Sequence, residues 1–178
     1  RPPRSTPKPS SAASDVYKRQ PLYCLAEGLI LGGISAYANA LYPGIANQAI
    51  ALTFGILAAL LFLYKSRLIA ATENFKLGVF SATFGILIIY VLNLILSFFG
   101  VSFMGPLFGN GLTGILFSVF VIGIASLNLV LDFDFIENGA EQGAPKYMEW
   151  YAAFGLMITL IWLYIEILNL LMKLRSRR

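Results

Sequence analysis

Acidic side chains interrupt the apolar runs of this sequence at two places. The stretch NLVLDFDFIENG, residues 128–139, brings Asp132, Asp134 and Glu137 together directly after an apolar run. Glu166 stands inside the last apolar run, within LYIEILNLL. Carboxylates are hard oxygen ligands for cations such as Ca²⁺, and they also exchange protons. The acids are therefore the candidates for ion binding and pH sensing.

Other chemistries find little support in the residue types. The sequence has no histidine, which removes the usual near-neutral switch and the commonest metal ligand. Cys24 is the only cysteine, so an internal disulfide is impossible, and we interpret it as a small packing residue. No Ser–His pairing, metal-ligand cluster or glycine-rich phosphate loop is present. We therefore expect neither an enzyme nor a bound cofactor.

The composition points to lipid as the solvent of this chain. Of its 178 residues, 58% are hydrophobic and 12% are charged, and the mean hydropathy is +0.75. Soluble domains carry about 25% charged residues. Several runs of about 18 or more residues with few charges are long enough to cross a hydrocarbon core. The lipid bilayer is thus the first expected partner.

The net charge of +4 belongs to the first 20 residues. That segment holds five Lys or Arg and one Asp, whereas residues 21–178 hold eight basic and eight acidic residues. The basic character therefore gives no reason to expect nucleic acid as a partner. The segment is rich in Pro and Ser, lacks a starting Met, and SSAASDVYKRQ is typical of translated adapter sequence. We interpret residues 1–20 as an artefact, with a disordered cytoplasmic tail as the alternative.

The apolar runs predict an all-α, polytopic membrane helix bundle. The breakers Pro43–Gly44 and the charged or glycine-containing segments between runs divide the chain into five spans. Pro21 suits a helix start, so the first span is expected to begin just after it. The predicted spans are 22–40, 45–64, 77–99, 112–136 (or 112–131 if the helix stops at the acids) and 148–172.

Two charge signals disagree about the last span. The loop with Lys65, Arg67 and Lys76 against Glu73 is the basic one, which predicts a cytoplasmic position for residues 65–76. Alternation then places 132–147 in the cytoplasm and the C-terminus outside, yet the terminal KLRSRR favours the inside. We favour full crossing because residues 148–172 are long enough to span the membrane.

Glu166 is the strongest candidate on physical grounds. Six residues, or about 9 Å of helix, separate it from Lys173, which we take to mark the end of the helix at water. A carboxylate at that depth costs a few kcal/mol unless it is protonated, paired or facing a water cavity. We expect Glu166 to face neighbouring helices, with less than a third of the side chain exposed. The alternative is an interfacial residue that reaches outward.

The other candidate residues are polar side chains, several of which lie near the predicted helix ends. Asp132 and Asp134 point about 200° apart on a helix, so we expect Asp132 to face inward and Asp134 to face the rim. Asn128 lies one turn from Asp132 and would continue its polar stripe. The alternative for both acids is the wet end of a helix. Glu27 could pair with Lys65 or Arg67, and Asn47 and Gln48 could hydrogen-bond Glu166.

From residue 21 onward the chain resembles the Bax inhibitor/YccA-like family, in its bacterial subgroup. The stretches that carry the resemblance are LYPGIANQAIALTFG, ASLNLVLDFDFIENGAEQGAPKYMEWYAAFGL and LYIEILNLL. The resemblance implies a seven-helix bundle, of which this chain would hold the last five, in the bacterial inner membrane. It also implies a pH-sensitive calcium leak switched by an acid pair on the last two helices.

The resemblance places Asp132 and Glu166 at the positions of that acid pair. Glu166 replaces an Asp of the family pattern, and Asp134 stands where the family has Gln. If the last two spans are antiparallel neighbours, Asp132 lies level with about residue 152, about 21 Å of helix from Glu166. We therefore expect a relay at two depths instead of a shared proton, unless the last helix is broken near Gly155.

Two functional hypotheses follow. The first is an acid-gated cation leak, chiefly for Ca²⁺, with Ca²⁺ contacting Asp132 or Glu166 as it passes. The second is a non-conducting membrane protein that regulates other membrane proteins or a membrane protease. Flux across a reconstituted bilayer distinguishes the two.

Overall fold

The structure, a computed structural model, describes residues 11–100 and 105–177, with side chains from residue 21 onward. Six helices make up the described part of the chain, and they run α1 Ser11–Leu41, α2 Ile45–Lys65, α3 Glu73–Phe98, α4 Gly105–Phe108, α5 Leu112–Glu141 and α6 Tyr147–Arg175. All but the four-residue α4 are long and apolar enough to cross a membrane. The predicted all-α membrane bundle with five spans is confirmed.

The five long helices alternate in direction. At one end of the bundle, Lys173 near the end of α6 reaches Gly114 near the start of α5. At the other end, Asp134 in the last part of α5 pairs with Lys76 in the first turn of α3. Helices that alternate in this way allow each connection to be short, as in other up-and-down bundles. The acids of α5 therefore share one end of the bundle with the α2–α3 turn.

The buried core lies where α5 and α6 pack on each other and on α2. Small residues on α2 and α5 permit this close packing, as is usual between helices in lipid. Elsewhere the long helices expose large apolar side chains, which suits contact with acyl chains. The fully buried core side chains include Ile45, Ala49, Val121, Ala125, Leu129, Leu163 and Leu168.

Helix α1 begins earlier than the sequence predicts. Its backbone is helical from Ser11, so Pro21 lies inside the helix and not at its start. A proline within a helix removes one backbone hydrogen bond, a loss that membrane helices tolerate when the freed carbonyl finds another partner. Residues 1–10 and the side chains of 11–20 lie outside the described residues. The expected lack of packing in the 1–20 segment therefore stays a prediction.

Helix α5 runs through both aspartates, as expected, but it ends beyond the predicted residue. The sequence suggests Gly139 as the terminating glycine, whereas the helix continues to Glu141. Gly143 takes the left-handed conformation, with φ of 63°. The Ala144 amide donates to Gly139 O (2.9 Å) and the Gly143 amide donates to Ala140 O (3.2 Å). These two bonds form a Schellman motif, which closes the helix at the second glycine.

This helix end gives a prediction with a matched control. Gly143→Ala is expected to lower the free energy of unfolding by about 1 kcal/mol, because an L-residue is strained in the left-handed region. A Cβ at Gly143 meets no atom within 4 Å, so backbone strain is the only cost. Gly139→Ala is helical and makes an ordinary 3.9 Å contact with Ala144, so it should be neutral or stabilising. Unfolding in detergent micelles measures both, and equal losses would contradict the assignment.

Candidate functional site

Polar side chains meet at two depths along α6, where α5 packs against it and a tyrosine of α3 reaches it. We call the first set the Glu166 group, which comprises Glu166, Tyr90 and Trp162. The second set is the Asp132 group, which comprises Asp132, Gly155 and Thr159. Each set joins one carboxylate to partners on a neighbouring helix.

In the Glu166 group, the carboxylate is held inside the bundle. Glu166 is 6% exposed, and the Tyr90 hydroxyl of α3 donates to its Oε1 at 2.6 Å. The Trp162 side chain, one turn earlier on α6, also interacts with this carboxylate. The expected burial of Glu166 is confirmed, and the outward-reaching alternative is wrong. Its role in ion movement stays a prediction.

The partners of Glu166 differ from those expected. Gln48 does not reach it; its Oε1 instead accepts from the Arg175 guanidinium at 3.3 Å. That bond lies at the end of the bundle, because Gln48 is in the first turn of α2 and Arg175 is the last residue of α6. Asn47, adjacent to Gln48, is likewise at that end. The sequence does not identify Tyr90 as a site residue, because its neighbours in α3 are apolar and a single tyrosine among them is interpreted as a packing residue.

Lys173 lies in the last turn of α6, near the end of the helix as expected, but its ammonium binds α5. It is half-buried, and its ammonium donates to Gly114 O (3.1 Å) and to the Ser118 hydroxyl (2.9 Å) on α5. Ser118 is itself buried. Lys173 follows Glu166 by two helical turns on the same helix face, so its charge acts on that carboxylate. A cation leaving the Glu166 group at this end would meet a fixed positive charge.

In the Asp132 group, one carboxylate oxygen lacks a protein partner. Oδ2 of Asp132 is buried and accepts no hydrogen bond from the described residues. Oδ1 faces Gly155, where an added Cβ would stand 3.8 Å away. The Thr159 hydroxyl donates to Gly155 O at 3.2 Å and lies close enough to the carboxylate to interact with it. Asp132 therefore faces inward, as expected, towards α6.

Asp134 faces α3 instead of α6. Its Oδ2 lies 2.9 Å from the Lys76 ammonium of α3, and about a fifth of the side chain is exposed. Lys76 also contacts Glu73 at 3.3 Å. The predicted divergence of Asp132 and Asp134 is thus confirmed by their partners on different helices. Asp134 lies at the rim in a neutralising ion pair, whereas Asp132 is not in one.

The prediction that Asn128 continues the polar stripe of Asp132 along α5 is wrong. The Asn128 amide donates to Thr83 Oγ1 on α3 (2.7 Å) and to Ile124 O (2.9 Å). Residues four apart on a helix are offset by about 40°, and here that offset separates the helices they contact. Asn128 therefore joins α5 to α3, and Asp132 joins α5 to α6.

Glu27 also has other partners than those expected. In the described part of the chain, the ion pairs involve Lys76 alone, so neither Lys65 nor Arg67 pairs with Glu27. Glu27 interacts instead with Tyr23, one turn earlier on the same helix. This half of α1 packs on α6, with Tyr23 edge-on to Phe154 and Cys24 Sγ 3.5 Å from Met157 Sδ.

Asp132 and Glu166 do not form a pair. Their α6 contacts, Thr159 and Glu166 itself, are seven residues or about 10 Å of helix apart. Among residues 11–100 and 105–177, no group of three or more Cys, Asp or Glu is placed to hold a metal ion. Ca²⁺ prefers six to eight oxygen ligands. The arrangement suits transient contact with a cation better than tight binding.

The chain was compared with known families, curated proteins and solved structures. No curated protein and no solved structure matches it. The family model described as Bax inhibitor 1 like matches residues 14–176, which is nearly the whole chain and includes both polar groups. The five-span bundle and this match agree, and the chain belongs to the Bax inhibitor 1-like family of multi-pass membrane proteins.

Proposed function

We propose that this protein is a pH-sensitive leak pathway for cations, chiefly Ca²⁺, in the bacterial inner membrane. The observation that carries the proposal is the inward position of two carboxylates, Asp132 and Glu166, in membrane-length helices without a close ion pair. Ionisable residues inside a membrane are costly and face the bundle interior or an ion pathway. A role in moving ions or protons explains why the fold keeps both.

The two groups support a stepwise path. A cation entering near Asp132 would find the oxygen of that carboxylate that has no protein partner. The next carboxylate along α6 is Glu166, about 10 Å of helix further. Passage through several weak sites lets an ion enter and leave, which a single tight site would prevent. Protonation removes the charge that attracts the cation, so flux would depend on pH.

The Glu166 group also contains the features expected of a gate. Tyr90 fixes the carboxylate, and the Lys173 ammonium lies between this group and the nearer end of the bundle. A positive charge in a narrow passage is an electrostatic barrier to cations. Movement of Lys173 away from Ser118 would lower that barrier.

A non-conducting regulator is the second candidate, favoured by the open face of α1. Gly28, Gly32 and Gly33 have no atom within 4 Å of an added Cβ, and small residues of this kind permit close helix association in lipid. Another membrane protein, such as a protease, would pack there. This role requires no ion flux.

The test is a liposome assay with the whole chain. Liposomes that enclose a calcium-sensitive dye are prepared with the protein and without it, and Ca²⁺ entry is followed across a range of external pH. We expect protein-dependent entry whose rate changes with pH. Entry no faster than in protein-free liposomes at every pH would contradict the leak and leave the regulator as the better proposal.

A further inference from the structure

A cleft between α2 and α5 lies beside the polar groups but is separate from them. It has a volume of about 900 Å³, within the range of ligand sites. Its floor is apolar and includes Leu57, Leu61 and Leu156. Its rim is charged, with Lys65 and Arg67 on the α2 side and Asp134, Glu137 and Glu141 on α5. An apolar floor below a charged rim complements a lipid molecule, whose acyl chains lie below its headgroup.

The position of the cleft along the bundle agrees with such an occupant. Helix α2 has 21 residues and is therefore about 31 Å long, close to the thickness of the hydrocarbon core. Lys65 ends α2, and Arg67 comes two residues later, after Ser66. The rim charges are therefore at the level of phospholipid headgroups, and the leucines below them are at the level of acyl chains.

The charges on the rim are balanced and partly unused. The lining also includes Asp134, which Lys76 neutralises at 2.9 Å. Of the other four charged residues, Lys65 and Arg67 supply two positive charges, and Glu137 and Glu141 supply two negative charges. In the described part of the chain, none of these four residues makes an ion pair within 4 Å. The Tyr64 hydroxyl donates to Glu137 and so fixes that carboxylate on the rim. A ligand that carries one charge of each sign would complement both sides.

Arg67 is held at the rim by an unusual backbone. Its φ is 55°, and it is the only described residue other than glycine with a positive φ. The Arg67 amide donates to Tyr64 O and the Leu68 amide donates to Leu63 O, at 2.9 and 3.1 Å. This is a Schellman motif, in which glycine is the usual residue. An arginine bears a conformational cost there that glycine avoids, which points to a use for its side chain.

We propose that this cleft binds a zwitterionic aminophospholipid, with its phosphate on Lys65 and Arg67 and its primary ammonium on Glu137 and Glu141. Arginine binds phosphate through several fixed N–H donors, and a primary ammonium gives three N–H donors to carboxylates. A choline headgroup has no such donors. A purely anionic headgroup would leave the glutamates facing negative charge. Ethanolamine therefore fits the rim better than choline or glycerol.

Photo-crosslinking with headgroup-matched lipids tests the proposal. The whole chain is reconstituted into vesicles of phosphatidylcholine and phosphatidylglycerol that contain a trace of lipid with one photoreactive acyl chain. The trace lipid carries an ethanolamine, choline or glycerol headgroup, and crosslinked peptides are identified by mass spectrometry. We expect ethanolamine lipid to label the floor segments 57–61 and 156 about fivefold more than choline lipid. A preference of this size is what a few exposed charge pairs with the headgroup would give.

Arg67→Gly separates binding from folding. Glycine suits the left-handed backbone, so this variant should unfold at the same or a higher temperature while losing most of the headgroup preference. Glu141→Gln should reduce the preference about twofold to threefold, as expected for one exposed charge pair. Lys146→Gln and Glu149→Gln remove charges at the same end but outside the cleft, so they should change nothing.

Three results would overturn the proposal. The first is equal labelling by ethanolamine and choline lipids in the unaltered protein. The second is preference for the glycerol lipid, which would show that the basic residues act alone. The third is an unchanged preference in Arg67→Gly. None of these results depends on calcium flux, so the proposal stands or falls separately from the leak.

Discussion

Glu166→Gln is expected to abolish most of the pH dependence of Ca²⁺ flux while leaving the bundle folded. Glutamine has nearly the same volume, and its carbonyl oxygen can still accept the Tyr90 hydroxyl. It cannot gain or lose a proton in the range of the assay. In the unaltered protein, the flux at about pH 8 should differ from the flux at about pH 6. In Glu166→Gln, the ratio of these two fluxes should be about one. Dye-loaded liposomes give this ratio directly.

Two further variants keep this prediction specific. Glu149→Gln removes an exposed carboxylate from the first turn of the same helix, so its pH profile should match that of the unaltered protein. Tyr90→Phe keeps the carboxylate and removes one donor, so pH dependence should remain but with a displaced midpoint. A Glu166→Gln profile that overlays the unaltered one would remove Glu166 from the pH response. Thermal unfolding shows whether each variant is folded.

The positions of the acids show what periodicity can predict. An angle of 100° per residue is enough to send Asp132 and Asp134 to different neighbours, and the structure gives Asp132 to α6 and Asp134 to α3. Antiparallel packing of the last two helices is enough to separate Asp132 from Glu166. The predicted level on α6, about residue 152, is within two helical turns of the observed Thr159.

Partners across helices could not be predicted in the same way. Tyr90, Thr159 and Gly155 contact the carboxylates only because of the rotation of each helix about its own axis, which packing sets. Apolar spans with weak amphipathicity do not reveal that rotation, because lipid and protein interior are both apolar. The end of α5 shows that the sequence also leaves some local structure open. Gly139 and Gly143 are four residues apart and either could end the helix, and the backbone hydrogen bonds show that it ends at Gly143.

Asp132→Asn and Asp134→Asn are expected to differ strongly in flux, although the two residues are neighbours on one helix. Asp132 faces α6 with a buried oxygen that accepts no hydrogen bond from the described residues, so a cation or a proton that reached it would find an unused acceptor. Asparagine removes the charge at that point and should change Ca²⁺ flux, or move its pH midpoint, by about tenfold or one pH unit. Flux measured in matched liposomes checks the difference.

Asp134→Asn is the matched control because it removes the same charge from the rim. Its carboxylate is already neutralised by Lys76 at 2.9 Å, so little charge is available to a passing cation. The variant should lose little stability, as expected for an exposed ion pair, with flux near that of the unaltered protein. If both variants gave equally small effects, the two acids would be no more than the polar end of α5. If Asp134→Asn gave the larger effect, the ion path would run between α3 and α5 and not along α6.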